Sequence, residues 1–504
     1  MKTKNIIYCI LLTSVIVGCT GSKKQVLGSK EEIETEIPAV KSSFEAVVSV
    51  DTIIPNPGVR FKEERIIDSS APPVRLDLAG NPEEKELKLS DHFSKVRYLK
   101  LKHPFAEQGK CFLGNALSDI HFEEGGNRLG AGINSLVFIT QENIIAGDPY
   151  FGYHCYDLEG NFIYTIAAME QLPDYNKERN QIMTKIKKSS MMFINEFSIL
   201  GDNCLINTAK GDDLRLNFHS IKSKKTYFSR PYDIGNPMLI NPESYINYKY
   251  NVLATESEPF MGSYEIKGDT LCSFFNYNSL AKQINRSYTT PERGTFYYYN
   301  DILTFRQPFN DTIFRMTSPS KLTPAYILDF DIYKPDVHTY LTSDKSEKLI
   351  PLDWFETERF IIVVHTKNID SPNNRKNNTV KFFYSYYNKS NKQLYRIPYE
   401  GIPESFMLSN DINDGIPFLF DNVSINNNLI VSGFKKGERY HLIYFLLNRS
   451  LTTGSKLYTR YTKTLLSKII KLDSFSSLSD DQQKNTLAMY EEMEDDELLV
   501  MILE

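Results

Sequence analysis

Histidines are the side chains of this sequence best suited to bind a metal, and four of the eight lie in runs typical of strands. They are His154, His219, His365 and His441. Imidazole is a frequent ligand of divalent ions, so two or more of these rings meeting in the fold would form a metal site. The four are far apart and lack the short spacings of metal-binding motifs. We therefore expect ordinary histidines of a sheet, and no metal or cofactor.

No other pattern in the sequence identifies a reaction. A nucleophile motif, a phosphate-binding loop and a pair of carboxylates at fixed spacing are all absent, so we predict no catalytic residue. The chain has 58 basic and 63 acidic residues, for a net charge of −5. This balance lacks the basic excess of a nucleic-acid-binding protein, and we expect no such partner.

Tyrosine clusters offer ring faces on which a sugar could stack. The chain has 31 Tyr and 31 Phe against a single Trp, Trp354. The clusters are Tyr297-Tyr298-Tyr299 and the group of Tyr384, Tyr386 and Tyr387. Because neighbouring residues of a strand face opposite sides, we expect half of each cluster in the core and the other half available to a ligand.

The first 19 residues have the layout of a lipoprotein signal peptide. Two lysines precede an apolar run over Ile6–Gly18, which is too short to span a bilayer as a helix. The run ends in Ile16-Val17-Gly18-Cys19, which resembles a bacterial lipobox. We therefore predict lipidation of Cys19 and, through its acyl chains, a membrane anchor.

Residues 20–70 are rich in Glu, Lys, Ser and Pro and are predicted to be a flexible tether. The residues directly after Cys19 lack the acids typical of surface-exported lipoproteins in Bacteroidetes. We therefore expect an outer-membrane anchor, with the periplasmic face favoured over the cell surface. Three triplets resemble the O-glycosylation signal of envelope proteins in that phylum: they begin at Asp51, Asp269 and Asp311. Only Thr52, in the tether, is expected to be accessible.

Four further cysteines belong to the mature chain: Cys111, Cys155, Cys204 and Cys272. Their wide spacing matches no metal-binding motif, and an oxidising compartment permits disulfides without requiring them. The last three lie in strand-like runs, so we favour buried thiols over bridges.

Residues 71–504 are predicted to form an all-β domain. Short apolar runs separated by turn-forming residues recur along the chain, as over Tyr297–Phe330, which predicts an antiparallel meander with its first turn at Pro308–Asp311. A unit of about four strands repeats every 60 to 90 residues or so, which favours β-propeller blades, with a sandwich as the alternative. We expect five or six blades between about Val96 and Tyr458.

The C-terminal residues are predicted to close the propeller. Leu465, Leu466, Ile469 and Ile470 form an apolar helical stripe, and Ser479 resembles the N-cap of a second short helix. The continuous apolar run Leu498–Leu503 predicts a strand buried on both faces. Since an open ring would leave an unpaired edge, we expect this strand to complete a blade begun by the N-terminal part.

Several segments resemble, in their order, the six-bladed β-propeller lipoproteins of Bacteroidetes, a family of unknown function. The matching segments are Tyr156–Ile163, Asn310–Phe314, Leu322–Phe330, Asn410–Phe418 and Asp495–Ile502. The resemblance covers about Val74 to Glu504 and implies a six-bladed propeller in the cell envelope, with no established activity. One departure lies at Ala167–Tyr175, where the family's Gly-Pro-Gly-Glu-Tyr stretch has lost its glycines.

Three functions remain open from the sequence, and one of them is a purely structural role in the envelope. The first is an envelope-anchored propeller that binds a ligand, such as a glycan, or an envelope protein without turnover. The alternative is a propeller enzyme acting on sugars or lactones with channel carboxylates or a divalent metal, because some six-bladed propellers are metal-dependent lactonases. Turn residues that would suit the second function are Asp202, Asn203, Glu358 and Asn427.

Overall fold

The computed structural model is built almost entirely from strands. It describes residues 63–66, 68, 70–108, 136–148, 152–167, 192–210, 213–232, 236–248, 261–274, 295–307, 310–333, 348–367, 381–399, 407–419, 430–432, 441–443, 452–453, 456–471 and 473–504. Within these ranges no helix is both long and apolar enough to cross a membrane.

The strands are numbered in chain order. The first three are β1 (Glu64–Arg65), β2 (Val74–Asp77) and β3 (Val96–Lys102). Blade 1 contains β4 (Leu136–Ile139), β5 (Ile144–Asp148), β6 (Gly152–Tyr156) and β7 (Phe162–Ala167). Blade 2 contains β8 (Met192–Leu200), β9 (Asn203–Lys210), β10 (Asp213–Ser220) and β11 (Lys225–Pro231). Blade 3 contains β12 (Asn236–Asn241), β13 (Ser244–Tyr248), β14 (Met261–Glu265) and β15 (Thr270–Phe274).

The remaining strands complete the ring. Blade 4 contains β16 (Thr295–Tyr299), β17 (Ile302–Arg306), β18 (Thr312–Ser318) and β19 (Lys321–Asp329). Blade 5 contains β20 (Leu349–Glu356), β21 (Phe360–Lys367), β22 (Lys381–Asn388) and β23 (Gln393–Ile397). Two short pairs follow: β24 (Met407–Leu408) with β25 (Phe418–Leu419), and β26 (Ile430–Ser432) with β27 (His441–Ile443). Blade 6 contains β28 (Thr452–Thr453), β29 (Lys456–Thr462), β30 (Glu497–Leu503) and, as its last strand, β3.

Six antiparallel blades therefore form a six-bladed β-propeller, as expected from the repeated hairpins. The apolar core is divided among the six seams between neighbouring blades. Because each blade is covered on both faces, alternate residues of one strand enter two different seams. On β30, Leu499 and Met501 pack in the seam with blade 5, whereas Leu498 and Val500 pack in the seam with blade 1.

The predicted closure by the C-terminal strand is confirmed. Strand β30 pairs antiparallel with β29 on one side and with β3 on the other, so the two ends of the chain share one blade. Both edges of β30 are therefore paired, and the outer strand of blade 6 comes from the N-terminal part of the chain.

The two short helices near the C-terminus are also confirmed. Helix α1 (Lys463–Ile469) follows β29, and helix α2 (Asp480–Glu492) begins after Ser479, whose hydroxyl accepts a hydrogen bond from the Gln482 amide at 3.2 Å. Leu466 and Ile469 of α1 are buried in the seam between blades 5 and 6. The cap and the apolar stripe are local signals, so the sequence could predict both.

The N-terminal residues 63–102 form a belt across the outer edges of three blades. Strands β1 and β2 pair in parallel with β19 of blade 4, and the Glu83 and Lys85 backbone then hydrogen-bonds to Arg396 of blade 5. The belt ends as β3 in blade 6. Within the described residues the first pairing is at Glu64, which lies in the expected tether; a two-residue strand has no periodicity to detect.

In blades 1 to 5, the turn between the first and second strands and the turn between the third and fourth strands lie on one face, here called the tight-turn face. In blade 4 this arrangement corrects the expected meander. Residues 297–307 were expected to form one strand, but Asn300 and Asp301 interrupt it with φ of 47° and 60°. Two successive residues in this region make the hairpin turn that matches strand twist, and Asn and Asp tolerate it.

Candidate functional site

Three of the four histidines singled out by the sequence lie in three different blades. His154 is buried in blade 1, with Nδ1 3.2 Å from the Thr165 hydroxyl, and burial holds its pKa well below the usual range. His219, in blade 2, lies 3.0 Å from the Tyr164 hydroxyl, and burial lowers its pKa to about 4. His365, in blade 5, is buried with a pKa of about 4 for the same reason. The His441 side chain lies outside the described residues.

The turn residues proposed for channel chemistry are also separated. Asp202 accepts hydrogen bonds from the Ser220 hydroxyl at 2.7 Å and the Lys222 amide at 2.5 Å, which stabilise turns of blade 2. Asn203 lies beside it, Glu358 is exposed in blade 5, and Asn427 lies outside the described residues. In the part of the chain that the structure describes, no three His, Cys, Asp or Glu side chains are placed to hold a metal ion.

The tyrosine clusters are more deeply buried than expected. Tyr297 packs in the seam between blades 4 and 5, and Tyr298 packs in the seam between blades 3 and 4. Tyr384 and Tyr386 lie in the seam between blades 5 and 6, and Tyr387 is buried too. More of each cluster lies in the core than the expected half, because both faces of a blade are covered. Tyr299, which follows Tyr298 in β16, is the one member of the two clusters that is half-buried.

The three cysteines that the structure describes are buried free thiols, as expected from their positions in strands: Cys155, Cys204 and Cys272. Burial raises the pKa of Cys155 and of Cys272 to about 12, so both remain protonated at neutral pH. Cys19, Thr52 and Cys111 lie outside the described residues.

The segment Asn410–Phe418 holds a loop against blade 6. The Asn410 side-chain amide donates to the Tyr98 hydroxyl at 3.0 Å, and the Ile416 amide donates to the same hydroxyl at 3.2 Å. A Cβ at Gly415 would overlap that hydroxyl, so only glycine fits. This motif therefore has a structural role in positioning β3.

A group of charges and hydroxyls within the described residues surrounds one buried acid, Glu356, which sequence reasoning missed. Its Oε1 accepts hydrogen bonds from Arg315 at 2.7 Å and from Lys389 at 2.7 Å. The same oxygen accepts the Tyr326 hydroxyl at 2.6 Å, and Oε2 accepts the Tyr297 hydroxyl at 2.6 Å. Three of the four donors share Oε1 and the fourth binds Oε2, so both carboxylate oxygens are hydrogen-bonded.

We call Glu356, its four hydrogen-bond donors and Tyr299 the seam cluster. Five elements position it. Glu356 ends β20, and Lys389 follows β22 in the neighbouring turn, both in blade 5. Blade 4 contributes Arg315 from β18 together with tyrosines from β16 and β19. The cluster thus lies where the seam between blades 4 and 5 reaches the tight-turn face.

Charge in the seam cluster is layered from core to solvent. The Glu356 side chain has no exposed surface, whereas Arg315 is 13% exposed and Lys389 is 18% exposed. Both cations also contact the half-buried Tyr299, each at 4.3 Å from the ring centroid. The cations therefore cover the carboxylate and are themselves the charged groups that solvent reaches.

Protonation states follow from this layering. Burial alone would raise the pKa of Glu356, but Arg315 and Lys389 outweigh it and hold the pKa below its usual range. Burial, followed by the field of Glu356, raises the pKa of Tyr297 and of Tyr326. Burial also lowers the pKa of Lys389, an effect that Glu356 opposes. The acid is therefore ionised and the two hydroxyls stay neutral donors.

Two residues singled out from the sequence lie at or next to this site, although the site itself was not predicted. Glu358, chosen as a turn carboxylate, lies two residues beyond Glu356 and is exposed. Tyr299, chosen as a ring for sugars, is the partly exposed tyrosine of the cluster. The partners come from positions as distant as 297 and 389, and no short-range pattern links them.

Comparison with known proteins gives a family. The model of the family DUF4933, a domain of unknown function, matches residues 56–437. An exported protein of Bacteroides fragilis is 11% identical with a TM-score of 0.46, over 86% of this chain and 99% of that one. A DUF4221 family member from Bacteroides vulgatus is 9% identical with a TM-score of 0.33, over 63% of this chain and 90% of that one. No curated protein matches in sequence. The chain belongs to the DUF4933 family.

Proposed function

We propose that this protein is an envelope lipoprotein, held at the outer membrane through Cys19, whose propeller binds a glycan or an envelope protein without chemical turnover. The observation that carries the proposal is the layering of the seam cluster. Its acid is occupied by four donors and is held ionised, which does not suit a general acid or base that must exchange protons. Its cations and Tyr299 face solvent, an arrangement that suits recognition.

The scaffold supports the same proposal. Each seam is filled by an apolar cluster, and the belt ties blades 4, 5 and 6 together, so groups at a seam are held on rigid elements. Rigid placement reduces the entropy lost when a ligand binds. A signal peptide with a lipobox and a tether before residue 63 would place such a module at a membrane surface.

The anchor is tested by replacing Cys19 with Ser in the native host. We expect the wild-type protein to fractionate with the outer membrane and to incorporate a labelled fatty acid, and the C19S protein to lose the label. A C9S variant is the matched control, because Cys9 lies in the leader and is predicted to be removed. Labelling of C19S equal to that of the wild type would reject Cys19 as the lipidated residue.

Binding is tested by thermal unfolding of the purified protein with envelope glycans and, separately, with divalent ions. A ligand at about 100 times its dissociation constant adds about 2.7 kcal/mol to the free energy of unfolding, which gives a measurable shift. We expect a shift with a glycan, or a crosslinked protein partner in cells. A shift with a divalent ion, accompanied by hydrolysis of a lactone or sugar, would replace this proposal with the enzyme.

A further inference from the structure

Two polar side chains between blades 2 and 3 carry buried atoms without a hydrogen-bond partner. Asn207 of β9 is 3% exposed, and its Oδ1 has no partner. Arg230 of β11 is half-buried, and its Nη1 has no partner either. Because leaving such groups unpaired costs free energy, native proteins pair nearly all of them with protein, water or ligand. These two atoms therefore indicate a site whose partner is not another described residue.

Strand pairing places both residues on the same face of blade 2. Asn207 and Arg230 are the two cross-strand neighbours of Leu216, which packs in the seam with blade 3. Since cross-strand partners share a face, all three side chains point into that seam. Strands lie about 4.8 Å apart, so the Cα atoms of Asn207 and Arg230 are about 10 Å apart. A ligand of several heavy atoms can span that distance.

Blade 3 supplies a further amide from the other side of the seam. Asn247 of β13 is buried and lies two residues beyond Tyr245, which packs in the same seam. Its Oδ1 accepts the Tyr232 hydroxyl at 2.9 Å, a bond that crosses from blade 2 to blade 3 and leaves the Asn247 amide N–H groups to donate elsewhere. Arg230 and Asn247 are each next to last in strands that run away from the tight-turn face. The site therefore lies towards the opposite face of the propeller.

The charge of this site is not balanced as it is in the seam cluster. Arg230 forms no ion pair with an acid in the part of the chain that the structure describes, and its guanidinium lies 6.0 Å from the Tyr245 ring centroid. Glu196 of β8 pairs with Asn207, but its Cα is three strand spacings, about 14 Å, from that of Arg230. A guanidinium without an acid attracts an anion, and the neighbouring amides suit hydroxyl groups.

We propose that the seam between blades 2 and 3 binds a small hydroxylated anion, with Arg230 holding the anionic group and the amides of Asn207 and Asn247 bonding the hydroxyls. The anionic group is a carboxylate or a phosphate, because a guanidinium binds both through paired N–H donors. The site lies in a different seam from the seam cluster and adds a ligand that the proposed function does not name.

The test measures dissociation constants by titration calorimetry with the full-length protein purified in detergent, at fixed ionic strength. The probes are gluconate, glycerol 3-phosphate, acetate, inorganic phosphate and sorbitol. Sorbitol matches gluconate without its charge, whereas acetate and phosphate carry the charge without the hydroxyl chain. Arg230→Met removes the cation, and Lys225→Met is the matched control, because Lys225 is exposed on the same strand and its loss changes the net charge equally. Asn207→Leu keeps the size of the side chain and removes its hydrogen-bonding groups.

We expect gluconate or glycerol 3-phosphate to bind more tightly than the other three probes, and the better of the two assigns the anionic group. R230M should weaken that binding at least tenfold, N207L should weaken it at least fivefold, and K225M should leave it within twofold. Without ligand, N207L should melt about 1 to 3 °C higher than the wild type, because it removes a buried amide that lacks a partner.

A lower melting temperature for N207L would show that Asn207 is paired within the fold and would overturn the site. Equal loss in R230M and K225M, sorbitol binding as tightly as gluconate, or no binding of any probe would also overturn it. Each of these results would leave the proposed binding function in place, because that function is decided by the separate tests with envelope glycans and crosslinked partners.

Discussion

Replacing Glu356 with Gln tests whether the seam cluster holds blades 4 and 5 together. The change keeps the shape of the side chain, but it leaves one acceptor oxygen for the two tyrosine hydroxyls and removes the charge that pairs with Arg315 and Lys389. Breaking a buried ion pair by removing one partner costs about 3 to 5 kcal/mol. Since the cations are 13% and 18% exposed and regain some hydration, we expect the lower end, about 3 kcal/mol.

The assay is denaturant unfolding at pH 7, followed by circular dichroism. Glu358→Gln is the control, because it makes the same chemical change two residues away on an exposed side chain, where surface substitutions usually stay within about 0.5 kcal/mol. If E356Q and E358Q unfold at the same denaturant concentration, the cluster does not stabilise the seam and the reasoning is refuted.

Three further predictions concern the pH dependence of the seam cluster, the loop at Gly415 and the N-terminal belt. Because Arg315 and Lys389 outweigh burial and lower the pKa of Glu356, the stabilisation is present above the unfolded pKa of 4.5 and is lost as the pH falls through the lowered value. The stability gap between wild type and E356Q should therefore narrow as the pH falls below 4.5, and an unchanged gap would contradict this. Gly415→Ala should cost about 1 to 3 kcal/mol through overlap with the Tyr98 hydroxyl, and adding Tyr98→Phe should recover part of that loss, as measured by thermal unfolding; no recovery would exclude this overlap as the cause. A chain starting at residue 96 keeps β3 but loses the rest of the belt, and it should be several kcal/mol less stable than one starting at residue 63, since burying each leucine of the lost part is worth about 2 kcal/mol. Equal melting temperatures would show that this part of the belt is dispensable.

The sequence predicted those parts of the fold that local patterns determine. Strand β30 could be predicted as buried on both faces because Leu498–Leu503 are six consecutive apolar residues, and all six are buried. The cap at Ser479 and the repeated hairpins are likewise local. The Asn300–Asp301 turn was missed because the tyrosines before it and the apolar residues after it resemble one continuous strand.

The candidate site could not be predicted because it depends on the order of blades in space. Glu356 follows an apolar strand, as many surface acids do, and only the neighbouring blade supplies Arg315 and the tyrosine hydroxyls. The burial of the tyrosines was predicted for a sheet that has one solvent-exposed face. In a propeller both faces of each blade are buried, so the same alternation places Tyr297 in one seam and Tyr298 in another.

The most direct test of the binding function uses thermal unfolding of the full-length protein in the presence of envelope extract separated into glycan and protein fractions. The glycans of each stabilising fraction are then recovered and analysed by mass spectrometry. We predict that at least one fraction raises the melting temperature and that its components are recovered unchanged. Consumption of a stabilising glycan, or no stabilisation by any fraction, would contradict a propeller that binds without turnover.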